Sequence, residues 1–408
     1  MLAGAIRPFA LGAVSMAMHL LLGIVGAILV AVVLWETFET IILPRRVVRR
    51  VRLTRALYLL TWQPWSTIAR SIRNNRRREK LLSFFGPLSL IMLLTVWALA
   101  IVLGFALVHW AVGQFGEARA IDGIREALYF SGSTFFTLGL GDVTHASTPG
   151  RAITIIEAGT GIGYFAMVIS YLPVLYQAFS RREVNISMLD ARAGTPPTAG
   201  ELLKRYRESG EMQSLDLLLR DWERWSADLL ESHLSYPGVW FFRSQHDNQS
   251  WLSALSTVLD TCSLVMVGID GVPKWQAQLT FKMTRHAVVD LAQVFNTSPV
   301  KFGGERLITE ELTRLRDALG EIGIVLRNEP GDEKTLSELR EMYEPYIKVL
   351  SEYLLMPLPG WLPKPKSIDN WQTSAWEVTA PAREEPFRKC MRDANSKRFH
   401  AATSELPK

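Results

Sequence analysis

The sequence is poor in the residues that mark disulfide-bonded proteins and most enzymes. Its 408 residues include only two cysteines, Cys262 and Cys390, which provide neither a disulfide framework nor a zinc-binding pattern. Residues 181–408 also lack a metal-spaced histidine pair and a nucleophile motif, so an enzyme is disfavoured and no organic cofactor is expected. No apolar run carries arginine at every third position, which excludes a voltage sensor of the usual type.

Three long apolar runs are present. Residues 10–35 and 81–112 contain no Asp, Glu, Lys or Arg, and residues 152–180 contain one ionisable side chain, Glu157. About 20 apolar residues in a helix cross a bilayer core, so each run predicts a transmembrane helix. The first of these transmembrane helices, within residues 1–44, is expected to lie at the periphery of the others. Its apolar run is too long for the core of a signal peptide, so we expect it in the mature protein.

The charges between the runs predict the orientation. Residues 45–80 contain twelve Lys and Arg but one acid, Glu79, and short basic loops of this kind stay in the cytoplasm. We therefore expect a multi-pass protein of the plasma (inner) membrane with its N-terminus outside. Residues 113–151 would face outward, and residues 181–408 would be cytosolic.

The basic segment 45–80 also has apolar and aromatic residues interleaved with arginine. Pro64 is expected to divide it into two short amphipathic pieces, which either lie in the headgroup layer or pack on the cytosolic domain or a neighbouring subunit. In the first alternative, anionic lipid would bind an arginine cluster: Arg45, Arg46, Arg49, Arg50, Arg52 and Arg55. A nucleic-acid partner is disfavoured because the cluster lies between two spans.

The outward segment after the second run predicts a pore. Residues 123–136 form an aromatic-rich helical stretch that is too short to cross a membrane, and alternating glycines, Gly139 and Gly141, and then Asp142 follow it. A short helix that returns as irregular backbone is tolerated at membrane depth only where it is buried in protein or lines water. Glycines at every second position can adopt positive φ, which lets successive carbonyls point toward one axis.

Thr134-Phe-Phe-Thr-Leu-Gly-Leu-Gly-Asp142 resembles the selectivity filter of potassium channels. The resemblance covers residues 81–180 and implies an all-α membrane protein that assembles as a homotetramer. It implies an outer helix at 81–112, a turret at 113–121, a pore helix at 123–136, a filter at 137–142 and an inner helix at 151–180. The implied ligands of K⁺ are backbone carbonyls, with the hydroxyl of the first residue, in the filter set Thr137, Leu138, Gly139, Leu140 and Gly141.

The same resemblance implies supporting residues around the filter. Asp142 would hydrogen-bond toward the aromatic cuff of the pore helix, here Tyr129 and Phe130. The residue pattern itself lets Leu138 and Leu140 pack outward against the pore helix. Two positions, Ser133 and Leu140, depart from the common pattern. Leu140 replaces the usual tyrosine, so a nonselective cation channel and a nonconducting membrane sensor or scaffold remain alternatives to a potassium channel.

Several residues of the third run are candidates for support or gating. Glu157 is expected to brace the pore helix through Ser131 or Thr134, with a proton or gating role and exposure to a crevice as alternatives. The candidate hinge or close-packing glycines are Gly159, Gly161 and Gly163. The expected lining of the cavity and its constriction comprises Ile162, Phe165, Ala166, Ile169 and Pro173. His145 is either a sensor of external acid or an ordinary exposed histidine.

The remaining sequence predicts a helical regulatory domain. A linker at 181–200 precedes helical patterns at 201–235, 248–268, 275–296, 305–327 and 333–355, which together form a cytosolic domain at 201–364. The run 251–269 is almost long enough to span a membrane, but Asp260 and its Ser and Thr neighbours favour a buried core helix. The composition of residues 365–408 is that of a disordered tail.

Overall fold

The computed structural model describes residues 6–43, 53–113, 123–145, 147–246, 248–269, 272, 274–295, 297–303 and 306–364, with the backbone alone at 6–15 and 237. Within these ranges the fold is all-helical, apart from loops and one isolated β-bridge between Ile269 and Leu326. The expected all-α class is confirmed. The chain forms two units: residues 1–178 with 235–242, and residues 179–234 with 243–408.

The first unit contains α1 (Ile6–Thr37), which continues as a π-helical turn, Phe38–Ile42, and then α2 (Leu53–Ser71), α3 (Asn75–Gly113) and α4 (Ile124–Phe135). The long helix α5 (Thr148–Ala193) begins in this unit and ends in the second. Among the described residues, four helical segments are long and apolar enough to cross a membrane: Met16–Ile42, Asn75–Val112, Thr148–Ala193 and Trp251–Gly268.

Glycines allow α1 and α3 to pack backbone to backbone. A Cβ at Gly26 would overlap the carbonyl oxygen of Gly104, and a Cβ at Gly23 would lie 2.8 Å from the Cβ of Ala111. The rings of His19 and Trp110 meet edge to face at 4.9 Å in the same helix pair. Small residues permit this close approach where helices associate within lipid. The first helix is therefore packed along the outer helix of the pore segment.

Helix α2 runs without interruption through Pro64, contrary to the expected division into two pieces. A proline removes one helical hydrogen bond, but aromatic contacts hold the chain on both sides of it. Trp62 and Trp65 both contact the ring of Phe85, at centroid distances of 4.8 and 5.7 Å. This face of α2 thus packs on α3 of its own chain, whereas Leu60 and Ile68 are exposed on another face.

Two boundaries of the pore segment differ from the sequence prediction. Helix α3 begins at Asn75, before the uncharged run, and α5 extends through most of the expected linker to Ala193. The extension is helical because Ile186, Leu189 and Ala193 present one buried apolar face. Gly194, with φ of +79°, follows directly and ends the helix, as is common at helix C-termini.

The described residues of the second unit contain seven further helices: α6 (Ala199–Glu208), α7 (Leu215–Ser235), α8 (Trp251–Gly268), α9 (Lys274–Val294), α10 (Thr309–Glu321), α11 (Asp332–Glu341) and α12 (Glu344–Leu354). The last residue of α7 belongs to the first unit. Two predicted helices are each observed as two helices. The predicted helix 201–235 is divided by a 3₁₀ turn, Met212–Ser214, and the predicted helix 333–355 is divided near Met342 and Tyr343. The tail at 365–408 lies outside the described residues.

Helix α8 is the centre of the second unit, and every residue in it except Met266 is buried. Its Asp260 carboxylate is paired with Arg306 at 2.6 Å and accepts a hydrogen bond of 2.6 Å from the Tyr343 hydroxyl. Burial opposes the charge of Arg306, but the Asp260 carboxylate outweighs it and raises the pKa of the guanidinium. These contacts support the interpretation of α8 as a buried core helix.

Candidate functional site: the pore segment

The segment after α4 has an alternating backbone. Thr137, Gly139 and Gly141 have φ of 58°, 56° and 79°, whereas the intervening Leu138 and Leu140 do not have positive φ. This alternation turns successive carbonyls to the same side of the chain, which an extended strand does not do. The sequence indicated the two glycines, but positive φ at Thr137, which is unfavourable for a threonine, was not expected.

Backbone hydrogen bonds from the end of α4 hold the start of this segment. The Leu138 amide donates to the Ser133 carbonyl at 2.8 Å, and the Thr137 amide donates to the Thr134 carbonyl at 3.0 Å. Ser133 and Thr134 therefore contribute through their carbonyls, whatever their side chains. The bonds fix the point at which the helix changes into the alternating backbone.

The two faces of the segment are open in a single chain. The side chains of Leu138 and Leu140 are 65% and 62% exposed, so they do not pack on their own pore helix as expected. A Cβ added at Gly139 or Gly141 would meet no atom within 4 Å. The described residues of the chain thus leave both leucine side chains and the space beside both glycines uncovered.

One aromatic residue of α4 holds the outer end of the segment. The Tyr129 hydroxyl donates a hydrogen bond of 2.8 Å to Oδ2 of Asp142, and this bond raises the pKa of Tyr129. Phe130, the other expected partner, is placed differently: its ring contacts those of His109 and His145 at 4.9 and 5.3 Å. The structure therefore brings Asp142 to Tyr129.

A buried polar network lies behind the pore helix. Glu157 of α5 is fully buried; its Oε1 accepts a short hydrogen bond from the Ser131 hydroxyl, and its Oε2 lies 2.8 Å from Nε2 of His109. The other ring nitrogen of His109 lies 2.8 Å from Nε2 of His145. The network thus joins α5, α4, α3 and the loop after the filter segment. His109 was not predicted from the sequence. The feature that could have indicated it is its titratable ring within the otherwise uncharged run 81–112.

Replacing Glu157 with glutamine is expected to lower the free energy of unfolding by about 1–3 kcal/mol, because an amide cannot accept hydrogen bonds from both Ser131 and His109 at this buried site. Thermal unfolding of the purified protein measures the change. Glu126→Gln, an exposed position on α4, is the matched control. Equal unfolding midpoints for the two variants would show that the network does not brace α4.

His145 is not an ordinary exposed loop residue, since its side chain is 6% exposed. A Cβ at Gly150 would overlap its ring, and the Arg151 guanidinium donates a hydrogen bond of 3.1 Å to its carbonyl. Burial, and secondly the neighbouring His109, lowers the pKa of His145 from 6.5 to about 4. A neutral ring is therefore held between α3 and the start of α5.

The depressed pKa of His145 predicts loss of stability in acid. The unfolded chain binds a proton near pH 6.5 and the folded chain only near pH 4, so the stabilisation is complete above pH 6.5 and decreases as the pH falls toward 4. His145→Gln should remove about 1–3 kcal/mol of this pH dependence. Unfolding midpoints from pH 7 to pH 4 test this, and parallel curves for the variant and the wild type would contradict it.

The inner helix has one buried and one open face. Tyr164 is buried, and its hydroxyl donates a hydrogen bond of 2.6 Å to the Leu94 carbonyl of α3. Four of the five expected lining residues are exposed, namely Ile162, Ala166, Ile169 and Pro173, whereas Phe165 is half-buried against the rings of Phe135 and Phe136. The geometry is compatible with a lined cavity if copies assemble around this face.

The glycines of α5 differ in their surroundings. A Cβ at Gly161 would overlap the carbonyl oxygen of Phe135, the last residue of α4, whereas a Cβ at Gly159 or Gly163 would meet nothing within 4 Å. Gly161 is therefore required for close packing between the inner helix and the end of the pore helix. No comparable requirement exists at the two neighbouring glycines.

Comparison with known proteins matches this same part of the chain. Residues 91–177 match an ion-channel family. The match begins within α3 and ends within α5, so it includes α4, the filter segment and Glu157. The resemblance to channel pores that the filter motif indicated is thereby confirmed for this segment.

A second comparison, which searched with the whole chain, finds that part of it is similar to an uncharacterised membrane protein, YdjJ of Bacillus subtilis (strain 168). It is 24% identical over 225 residues, which cover 54% of this chain and 64% of the relative. The chain thus matches less than two thirds of that relative's length. No solved structure matches the chain. The family match thus covers the pore segment, and the described residues contain helices long and apolar enough to cross a membrane.

Proposed function

We propose that this protein is a potassium channel formed by four copies around one conduction path. The observation that carries the proposal is the alternation of positive φ at Thr137, Gly139 and Gly141, directly after a short helix. The ion-channel match over the same residues supports it. No enzymatic activity is part of the proposal, and the transported ion is its only small-molecule substrate.

Conduction in this proposal depends on the backbone. Four copies of the carbonyls from Thr137 to Leu140, with the Thr137 hydroxyls, replace the hydration shell of K⁺. The Tyr129 bond to Asp142 holds the outer end, and the Ser133 and Thr134 carbonyls hold the inner end. The buried Glu157 network then keeps α4 aligned behind the filter.

The membrane arrangement in this proposal follows the positive-inside charge pattern. The protein lies in the inner membrane with its N-terminus outside, and residues 181–408 are in the cytosol, where they control the pore. Anionic lipid is the proposed partner of the basic segment. Of its arginine cluster, only Arg55 is among the described residues; it lies at the start of α2, the helix that leaves Leu60 and Ile68 exposed.

A second candidate is a nonselective cation channel. The observation that favours it is Leu140, whose exposed aliphatic side chain has no hydroxyl with which to brace the filter. Without that hydroxyl, a filter that does select potassium has to be braced by the Tyr129 to Asp142 bond and by the packing between copies.

Reversal potentials in planar bilayers separate the two candidates. With K⁺ on one side and Na⁺ on the other, a potassium channel reverses far toward the K⁺ equilibrium potential, whereas a nonselective pore reverses near zero. Tyr129→Phe removes the hydroxyl that bonds Asp142 and serves as a comparison. Absence of current for purified tetramers in both ions would instead favour a nonconducting sensor.

A further inference from the structure

A short piece of the chain leaves the second unit and is buried in the first. The chain passes from the second unit at Leu234 to the first unit at Ser235, and it returns to the second unit at Arg243. Residues Ser235–Phe242, here called the anchor segment, include a 3₁₀ turn, Pro237–Phe241. Connections between helices usually run over the surface, so the burial of this one requires an explanation.

The centre of the anchor segment packs on two helices of the pore segment, α3 and α5. Val239 is fully buried in a cluster with Leu90 of α3 and with Tyr171 and Leu175 of α5. The ring of Tyr236 lies 5.9 Å from that of Tyr171. The two α5 residues of this cluster flank Pro173, so the anchor segment holds the inner helix at the position of the proposed constriction.

The end of the anchor segment is fixed by aromatic packing. The Phe241 ring stacks on Tyr58 of α2 at 5.4 Å and contacts the ring of Phe85 of α3 at 5.0 Å. A Cβ at Gly86 would lie 2.8 Å from the Phe242 ring, and a Cβ at Gly238 would lie 2.8 Å from the Tyr58 hydroxyl. Because so little free space remains, the anchor segment has one well-defined packing position among α2, α3 and α5.

The anchor segment packs on α5 at the point where this helix bends most easily. Pro173 has no amide hydrogen, so the helix lacks one hydrogen bond there and can kink at a small cost. Side chains packed on both sides of such a point determine the direction of the helix beyond it. The anchor segment is also joined directly to α7 and, through Arg243, to the chain that leads to α8 of the second unit.

We propose that the anchor segment is the element through which the second unit controls the pore, with Val239 as the positioning residue that sets α5 beside Pro173. The role in gating rests on the proposed channel function. A displacement of α7 or of the chain at Arg243 pulls on the anchor segment, and the cluster around Val239 transfers that displacement to Tyr171 and Leu175.

Two variants of the full-length protein test this proposal. Val239→Ala removes the buried contact with Tyr171 and Leu175, and Tyr236→Leu removes a ring contact at a half-buried position where folding is less at risk. Val265→Ala is the control, because it makes the same change at a fully buried site of α8. The readouts are single-channel open probability and amide hydrogen exchange in residues 168–178.

Both anchor variants should change the open probability about fivefold or more and speed amide exchange in residues 168–178, whereas Val265→Ala should do neither. Unchanged exchange in both anchor variants, or an equal response to Val265→Ala, would overturn the proposal. The exchange readout does not depend on conduction. If the wild type carries no current but exchange responds as expected, the positioning of α5 stands and the channel function fails.

Discussion

Replacing Gly139 with alanine is expected to reduce potassium flux into liposomes to the level of protein-free liposomes. Gly139 has φ of 56°, a conformation that costs a residue with a Cβ about 1–2 kcal/mol. The proposed filter contains this position four times, so the strain is repeated four times around one ring of carbonyls. The new Cβ would meet no atom within 4 Å in its own chain, so the effect arises from the backbone rather than from crowding.

Gly320→Ala is the matched control for this experiment. Gly320 lies within α10, does not have positive φ, and has space for a Cβ. An alanine there suits a helix better than glycine, so flux should be retained. Flux through Gly139→Ala equal to that through Gly320→Ala would contradict the assignment of residues 137–142 as the filter.

Gly161→Ala is expected to have the second large effect. Its Cβ would overlap the Phe135 carbonyl, and that carbonyl belongs to the last residue of the pore helix. Relief requires α5 and α4 to move apart, which costs about 1–3 kcal/mol and displaces the start of the filter segment. The unfolding midpoint should fall, and conduction should be lost.

Thermal unfolding and flux of Gly161→Ala, compared with Gly163→Ala two residues later, measure this effect. The comparison also separates two roles for the glycine. A glycine needed for close approach is damaged by any added Cβ, whereas a hinge tolerates alanine as long as the helix can still bend. Near-identical behaviour of the two variants would show that Gly161 has no packing role.

The sequence predicted the elements whose cause is local. The uncharged run 81–112 and the nearly uncharged run 152–180 have no favourable place except in an apolar environment, so the apolar parts of α3 and α5 were expected where they occur, although both helices extend beyond these runs. The pore helix was expected within one residue of its observed ends because glycines and an acid follow it directly. The positive φ of Gly139 and Gly141 follows from their residue type and alternation.

The features that were missed depend on contacts between distant segments. Pro64 does not divide α2 because Phe85 holds tryptophans on both sides of it. His145 is buried because its ring packs against that of His109, 36 residues earlier, with a 2.8 Å contact between ring nitrogens. The anchor segment reads as an ordinary helix connection, since nothing in its local sequence specifies Tyr171 as its neighbour. Tertiary packing decides each of these cases.

The most direct test of the central claim is an electron cryomicroscopy structure of the purified protein in KCl. A tetrameric potassium channel has four copies around one axis, with residues 137–142 of each copy facing it and ion density between successive rings of carbonyls from Thr137 to Leu140. A monomer or dimer, or an assembly in which these segments lie away from a common axis, would contradict the claim.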